Sequence, residues 1–359
     1  MTEPPTPPAR VPAKFKTVRL LIRKSWRWLL GILGLGLAWQ ALGGVAWDAV
    51  RDLLSGLGPP AVLIILGINL LMLPVMTVRW WLLIRALGAS AGLPTVCAYR
   101  LAANAVSYLT PGPHFGGEPL SVYLLHKRQG MSLSSATTSV AVDRLLELLA
   151  SIVVLAFCLL GLAFAQGNTF AGSRGLIMII ALPAVFASLL AALFTDQKPL
   201  SRSFSVLQRL VGGSVPGASR NLRSLTGIIA QAEIMATSLF RGNRRRFLLV
   251  NLLSLVHWLG VFAEFWVMAA LLGISLSFWQ LTAVVGVARL AFFTPLPAGI
   301  GVLETALPWA TAALGLGGAL GISLCLIIRF RDLLFSLTGL GLAMHYLTCR
   351  RKASIIDEK

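Results

Sequence analysis

Residues Tyr108-Leu109-Thr110-Pro111-Gly112-Pro113-His114-Phe115-Gly116-Gly117-Glu118-Pro119 lie among apolar segments, yet no membrane-spanning helix can contain them. Three prolines and three glycines fall between positions 111 and 119. Such backbone cannot complete a helical hydrogen-bond ladder, and in lipid each unpaired N–H or C=O costs several kcal/mol. The stretch must therefore meet water or be buried in protein at membrane depth, where it lines a cavity. A second stretch of the same kind, Thr294-Pro295-Leu296-Pro297-Ala298-Gly299-Ile300-Gly301-Val302-Leu303-Glu304, follows in the second half of the chain.

The surroundings set the class. Of 359 residues, 57% are hydrophobic and 12% charged, about half the charge of an ordinary globular chain. Several apolar runs approach or exceed the roughly 18 residues that mark a spanning helix, which predicts an all-α polytopic membrane protein. Net charge is +18, from 31 Lys and Arg against 13 Asp and Glu. The basic residues fall mostly between the apolar runs, where they set topology and meet anionic headgroups; nucleic acid is not implied. Cys97, Cys158, Cys325 and Cys349, and the scattered His114, His126, His257 and His345, lack ligand spacing, so neither disulfide framework nor metal site is expected. No cofactor motif is expected, and no GxxxxGK[ST] pattern occurs.

In order, residues 1–28 read as a basic, disordered cytoplasmic tail, and Leu29 to Ala46 as a first span. Asp48, Arg51 and Asp52 read as a short polar loop. Pro60 to Val78 is a second span, with Arg79 and Arg85 in a basic cluster beyond it. Pro94 to Leu109 is too short to cross comfortably, and Glu118 to Leu125 is a short amphipathic piece before His126-Lys127-Arg128. Ser132 to Ala165 is a long helix and Gly175 to Phe194 another span. Residues 196–246 form a basic loop, in which Leu222, Leu225, Ile229, Ala232, Ala236 and Leu239 suggest a helix on the lipid surface. Phe247 to Leu272, the short run Phe278 to Phe293, a short helix to Leu314 and a final span to Leu347 complete the transmembrane domain over residues 29–348. Residues 349–359 are a cytoplasmic tail.

Two regions, about 60–165 and 247–348, align with an offset of 184 to 188 residues. Trp81 matches Trp266, Gly88 matches Gly273, and Thr110-Pro111 matches Thr294-Pro295. Glu118 matches Glu304, and Asp143-Arg144-Leu145-Leu146 matches Arg331-Asp332-Leu333-Leu334. If each short helix, break and following helix forms a re-entrant hairpin, every basic cluster falls on the cytoplasmic side. The expectation is about six full spans plus two hairpins in two inverted repeats, with both termini cytoplasmic.

Within the long helices, Asp143, Arg144 and Glu147, and Arg329, Arg331 and Asp332, lie where an ionised side chain costs about 2.5–3.5 kcal/mol. Arg144 can pair with Glu147, and Arg329 with Asp332, at three-residue spacing. They either lock helices together or line a hydrated path. The arginine surplus near the repeats (Arg100, Arg144, Arg289, Arg329, Arg331) favours an anionic ligand. Glu118 and Glu304 each follow a Gly-rich break. They are either favourable first-turn carboxylates or gating and coupling groups. His114 is a possible phosphate donor. The expected hairpin tips are Thr110, Pro111, Gly112 and Gly117, and Thr294, Pro295, Pro297, Gly299 and Gly301.

Ser107 to Gly112, Gly116 to Leu125 and Val142 to Glu147, with Pro295 to Glu304, resemble the paired signatures of the lysylphosphatidylglycerol synthase transmembrane-region, or flippase-like, family. The resemblance covers about residues 27–348. It departs at Ala298, where the family usually has glycine. It implies movement of an anionic or glycosylated lipid across the cytoplasmic (inner) membrane, with no enzymatic step. In the family's synthases a soluble aminoacyl-transfer domain follows; the resemblance is to the membrane part, and translocation without the aminoacyl-transfer chemistry is expected. Expected partners are a membrane lipid (anionic phospholipid, hopanoid or polyprenyl-linked lipid) and lipid-biosynthesis enzymes. Two alternatives are an intramembrane transferase using a polyprenyl-phosphate sugar through Asp48 and Asp52, and a scaffold for a lipid-modifying enzyme.

Overall fold

The computed structural model describes residues 46–110, 116–165, 243–294 and 296–356, with isolated positions elsewhere. The expected tail (1–28), most of the first span, the span Gly175 to Phe194, the basic loop with its surface helix, and Pro111 to Phe115 with His114 lie outside them. So does Pro295.

Nine α-helices and no strand occur among the described residues. They are α1 (Trp47–Ser55), α2 (Pro59–Ala86), α3 (Leu93–Leu109), α4 (Glu118–Gln129), α5 (Leu133–Ala165), α6 (Arg244–Leu271), α7 (Phe278–Phe292), α8 (Val302–Ala313) and α9 (Gly318–Ile356). The 3-10 turn Pro297–Gly299 leads into α8. α2 and α6, each 28 residues and about 42 Å long, are long and apolar enough to cross a membrane. Their outer faces carry exposed Leu63, Leu70 and Leu71, and Leu252, Leu255 and Leu259.

One expected loop is a helix. Asp48, Arg51 and Asp52 lie on α1, exposed, while Val50 is buried and Leu53 and Leu54 pack on the main apolar core. The apolar residues recur at helical spacing, so the charges occupy the outer face of an amphipathic turn and make no loop.

The helices pack in a reciprocal scheme. α2 lies on α6, α3 on α9, and α7 on α5, while α4 packs on α5 and α8 on α9. Exchanging α2–α5 with α6–α9 therefore maps these pairs onto one another. Glycines permit the close approaches. A Cβ on Gly339 of α9 would meet the Leu101 carbonyl of α3 at 2.3 Å, and one on Gly286 of α7 would meet Cys158 Cβ of α5 at 2.5 Å.

Local chemistry repeats as well. α2 and α6 end in the same left-handed glycine turn, at Gly88 (φ 84°) and Gly273 (φ 76°). In each, the amide after the glycine (Ala89, Ile274) bonds back to a carbonyl five residues earlier, in the last turn of the helix. The Thr110 hydroxyl, past α3, donates to the Ser107 carbonyl at 3.1 Å, and the Thr294 hydroxyl, past α7, donates to Ala291 at 2.6 Å. Trp81 and Trp266 do not share an environment: Trp81 donates to the Ala91 carbonyl, whereas Trp266 is exposed.

Candidate functional site

Both broken stretches start a helix, and each helix begins with a carboxylate met by an arginine of the long helix that follows. Glu118, the first residue of α4, lies 2.8 Å from Arg144 of α5; Glu304, in the first turn of α8, lies 2.8 Å from Arg329 of α9. By contact, then, the counterpart of Arg144 is Arg329, and the alignment of Asp143-Arg144 with Arg331-Asp332 is shifted from it. Glu304 also accepts from the Gly301 amide at 2.8 Å, which makes it a first-turn cap.

Close packing holds the described parts of both tips. The Gly117 amide donates to the buried Ser107 hydroxyl at 2.8 Å, and a Cβ on Gly117 would meet the Ala103 carbonyl at 1.9 Å. At the second tip Ala298, Gly299 and Gly301 all have positive φ, at 52°, 62° and 87°. The Arg329 guanidinium braces this turn. It donates to the Ala298 carbonyl at 2.7 Å, the Gly299 carbonyl at 3.3 Å and the Tyr108 hydroxyl of α3 at 3.1 Å. It thereby ties the second tip to the helix that leads into the first.

The long helices carry two ionic clusters. In the first, Asp143 lies 2.8 Å from Arg79 of α2 and 3.2 Å from Arg100 of α3. Glu147 lies 2.9 Å from Arg144, as its spacing predicts, and 3.5 Å from Arg79. Arg79 also donates to the Ser254 hydroxyl of α6. In the second, Arg331 of α9 pairs with Glu264 of α6 and, at 2.6 Å, with Asp332; Asn69 of α2 donates to Glu264 at 2.8 Å. The expected Arg329–Asp332 pair does not form: Arg329 turns to Glu304 and Asp332 to its neighbour.

Two charge assignments change. Arg79 is 1% exposed and buried among three helices, so it is not part of a surface basic cluster. α2 runs on past it to Ala86, with Leu83 and Ile84 fully buried, and those apolar residues beyond the charge were the signal. With Arg79 and Glu264 counted, six arginines (Arg79, Arg100, Arg144, Arg289, Arg329, Arg331) face six carboxylates (Glu118, Asp143, Glu147, Glu264, Glu304, Asp332). Among these described residues the arginines therefore do not outnumber the carboxylates. Burial of ionised groups is tolerated because, among the described residues, all but one of these arginines have a carboxylate within ion-pair distance.

Between the clusters lies a cavity of about 360 Å³, lined by α2, α3 and α5 on one side and α6, α7 and α9 on the other. Arg144, Glu147, Arg289, Arg331 and Asp332 of the expected site line it, together with Arg100, Glu264, His257, Asn69 and Tyr108. Asp143 lines a smaller adjoining pocket. Glu118, Glu304 and Arg329 line neither pocket; they brace the starts of α4 and α8. Phe292, Phe293, Leu101 and Met72 give the cavity an apolar wall. A space of this size is within the range of small-molecule sites.

Comparison with known proteins places these residues in a family. The model of the lysylphosphatidylglycerol synthase transmembrane region matches residues 26–339. The chain is also similar to a UPF0104 membrane protein of Methanothermobacter thermautotrophicus, 29% identical over 113 residues, which are 32% of this chain and 33% of that protein. The chain thus matches about a third of that relative's length. No solved structure matches.

Proposed function

The chain belongs to the lysylphosphatidylglycerol synthase transmembrane-region family of membrane proteins, and from that membership and the charged cavity we propose that it moves a lipid between leaflets. The observation that carries the reading is the cavity between α2–α5 and α6–α9, with ionic side chains on an apolar wall. In lipid such groups are retained where they line a polar path. The headgroup, anionic or glycosylated, enters the cavity while its chains stay in the bilayer.

The reciprocal packing supports two inverted repeats, each with a re-entrant hairpin formed by α3–α4 and α7–α8. α3 and α7 are 17 and 15 residues long, about 25 and 22 Å, shorter than the hydrocarbon core of about 30 Å. Rocking of one repeat against the other would open the cavity to alternate sides. On this reading the protein sits in the cytoplasmic membrane with both termini cytoplasmic and performs no covalent step. A transferase centred on Asp48 and Asp52 gains no support, because neither residue lines the cavity.

The test is reconstitution of the purified protein in vesicles containing fluorescent lipids with anionic, glycosylated and zwitterionic headgroups. Exchange of at least one class faster than in protein-free vesicles is expected. Equal rates for every lipid would remove the proposal.

A further inference from the structure

Arg289 differs from the other five arginines of the core. Among the described residues it has neither a carboxylate at ion-pair distance nor a hydrogen bond; its guanidinium carbon lies 4.8 Å from the ring centre of Trp258. Trp258 is buried, so its ring fixes the cation from one face and leaves the guanidinium edge for a ligand. The acidic groups that line the cavity are already engaged: Glu264 and Asp332 by Arg331, Glu264 also by Asn69, and Glu147 by Arg144. Next to Trp258, His257 lines the same cavity, and its Nδ1 is buried with no hydrogen-bond partner. A buried polar atom without a partner is costly unless something fills the site.

We propose that Arg289 and His257 form an anion site that binds the phosphate of a phosphodiester headgroup. Guanidinium presents paired N–H donors to two phosphate oxygens, and the imidazole supplies a third donor in the tautomer that carries its proton on Nδ1. Among the described residues Arg289 alone of the six arginines has no carboxylate at ion-pair distance, so one local positive charge is left for the ligand and a monoanion matches it. A doubly charged phosphomonoester would leave its second charge unmatched in a low-dielectric cavity. The assignment rests on the proposed lipid transport and deepens it by naming the group recognised.

The purified full-length protein in detergent is titrated with dihexanoyl phosphatidylglycerol, with neutral dihexanoylglycerol and with inorganic phosphate, and tryptophan fluorescence is read. Trp258 lies against the cation, so a saturable change is expected with the phosphodiester lipid, and Trp258→Phe should remove most of it. Arg289→Gln is expected to weaken binding at least tenfold, Arg289→Lys less and His257→Ala severalfold, with unfolding temperatures near that of the unaltered protein. Unchanged binding in Arg289→Gln, or equal binding of the neutral lipid, would overturn the site. Equal affinity for inorganic phosphate would overturn the lipid as the source of the anion. Leaflet exchange that proceeds without Arg289-dependent binding would leave transport standing and remove this site; binding without exchange would do the reverse.

Discussion

Arg79 and Asp143 meet at 2.8 Å between α2 and α5, with the arginine side chain 1% exposed. Each charge is tolerable there because of the other and of one further partner, Arg100 for Asp143 and Glu147 for Arg79. Arg79→Met leaves Asp143 with Arg100 alone, and loss of one partner from a buried pair costs about 3–5 kcal/mol. We expect Arg79→Met and Asp143→Leu each to lower the unfolding temperature in detergent sharply. The double variant should recover part of the loss, because Arg100 and Glu147, which each lose a partner, still lie 3.9 Å apart. A double variant as unstable as the sum of the singles would show that the pair is not the coupling unit.

The tie between Arg329 and Tyr108 joins the two halves at their tips. Tyr108→Phe removes one bond to a charged donor, at about 1.5–3 kcal/mol. Arg329→Gln should cost more, since Glu304 and the Ala298 and Gly299 carbonyls lose their common donor. Thermal unfolding of both variants checks the order. Arg329→Gln as mild as Tyr108→Phe would contradict the bracing role.

Ala298 occupies the left-handed region, at φ 52° and ψ 13°, where a Cβ costs about 1–2 kcal/mol. Glycine relieves that strain and gives back about 0.4–1 kcal/mol through its freer unfolded chain. Ala298→Gly should therefore stabilise slightly, and Ala298→Val should destabilise by more than that gain. Calorimetric scans of the two variants would read opposite shifts. The backbone angle at Ala298 shows that side-chain size is not the only constraint at this position.

Gly117→Ala should disrupt the first tip. The added methyl would meet the Ala103 carbonyl at 1.9 Å and the Ser107 hydroxyl at 2.7 Å, and the carbonyl is backbone that cannot swing away. The expected outcome is loss of α3–α4 packing, read as faster hydrogen exchange confined to 93–129. Unchanged protection there would contradict the observed approach.

What the sequence made legible follows from how far each signal reaches along the chain. Apolar runs gave the helical class, and Gly-rich breaks placed Glu118 and Glu304 at helix starts. Arg144 and Glu147 are neighbours on one helix face, so their pairing could be read from spacing alone. The partners of Arg329 and Arg331 could not. Glu304 and Glu264 are 25 and 67 residues away in the chain, and only the packing of α8 and α6 against α9 brings them near. Arg79 was misplaced because it ends an apolar run, where a charge ordinarily marks the surface. The cavity was illegible for the same reason: its residues come from six helices.

The central claim is that a lipid headgroup passes through the cavity between α2–α5 and α6–α9. Ser336 lines that cavity from α9 and makes none of the ion pairs. Ser336→Trp would fill the space without removing a charge. Leaflet exchange in vesicles carrying this variant, folded as judged by an unfolding temperature close to that of the unaltered protein, should fall to the protein-free rate. Exchange at the rate of the unaltered protein would contradict passage through the cavity.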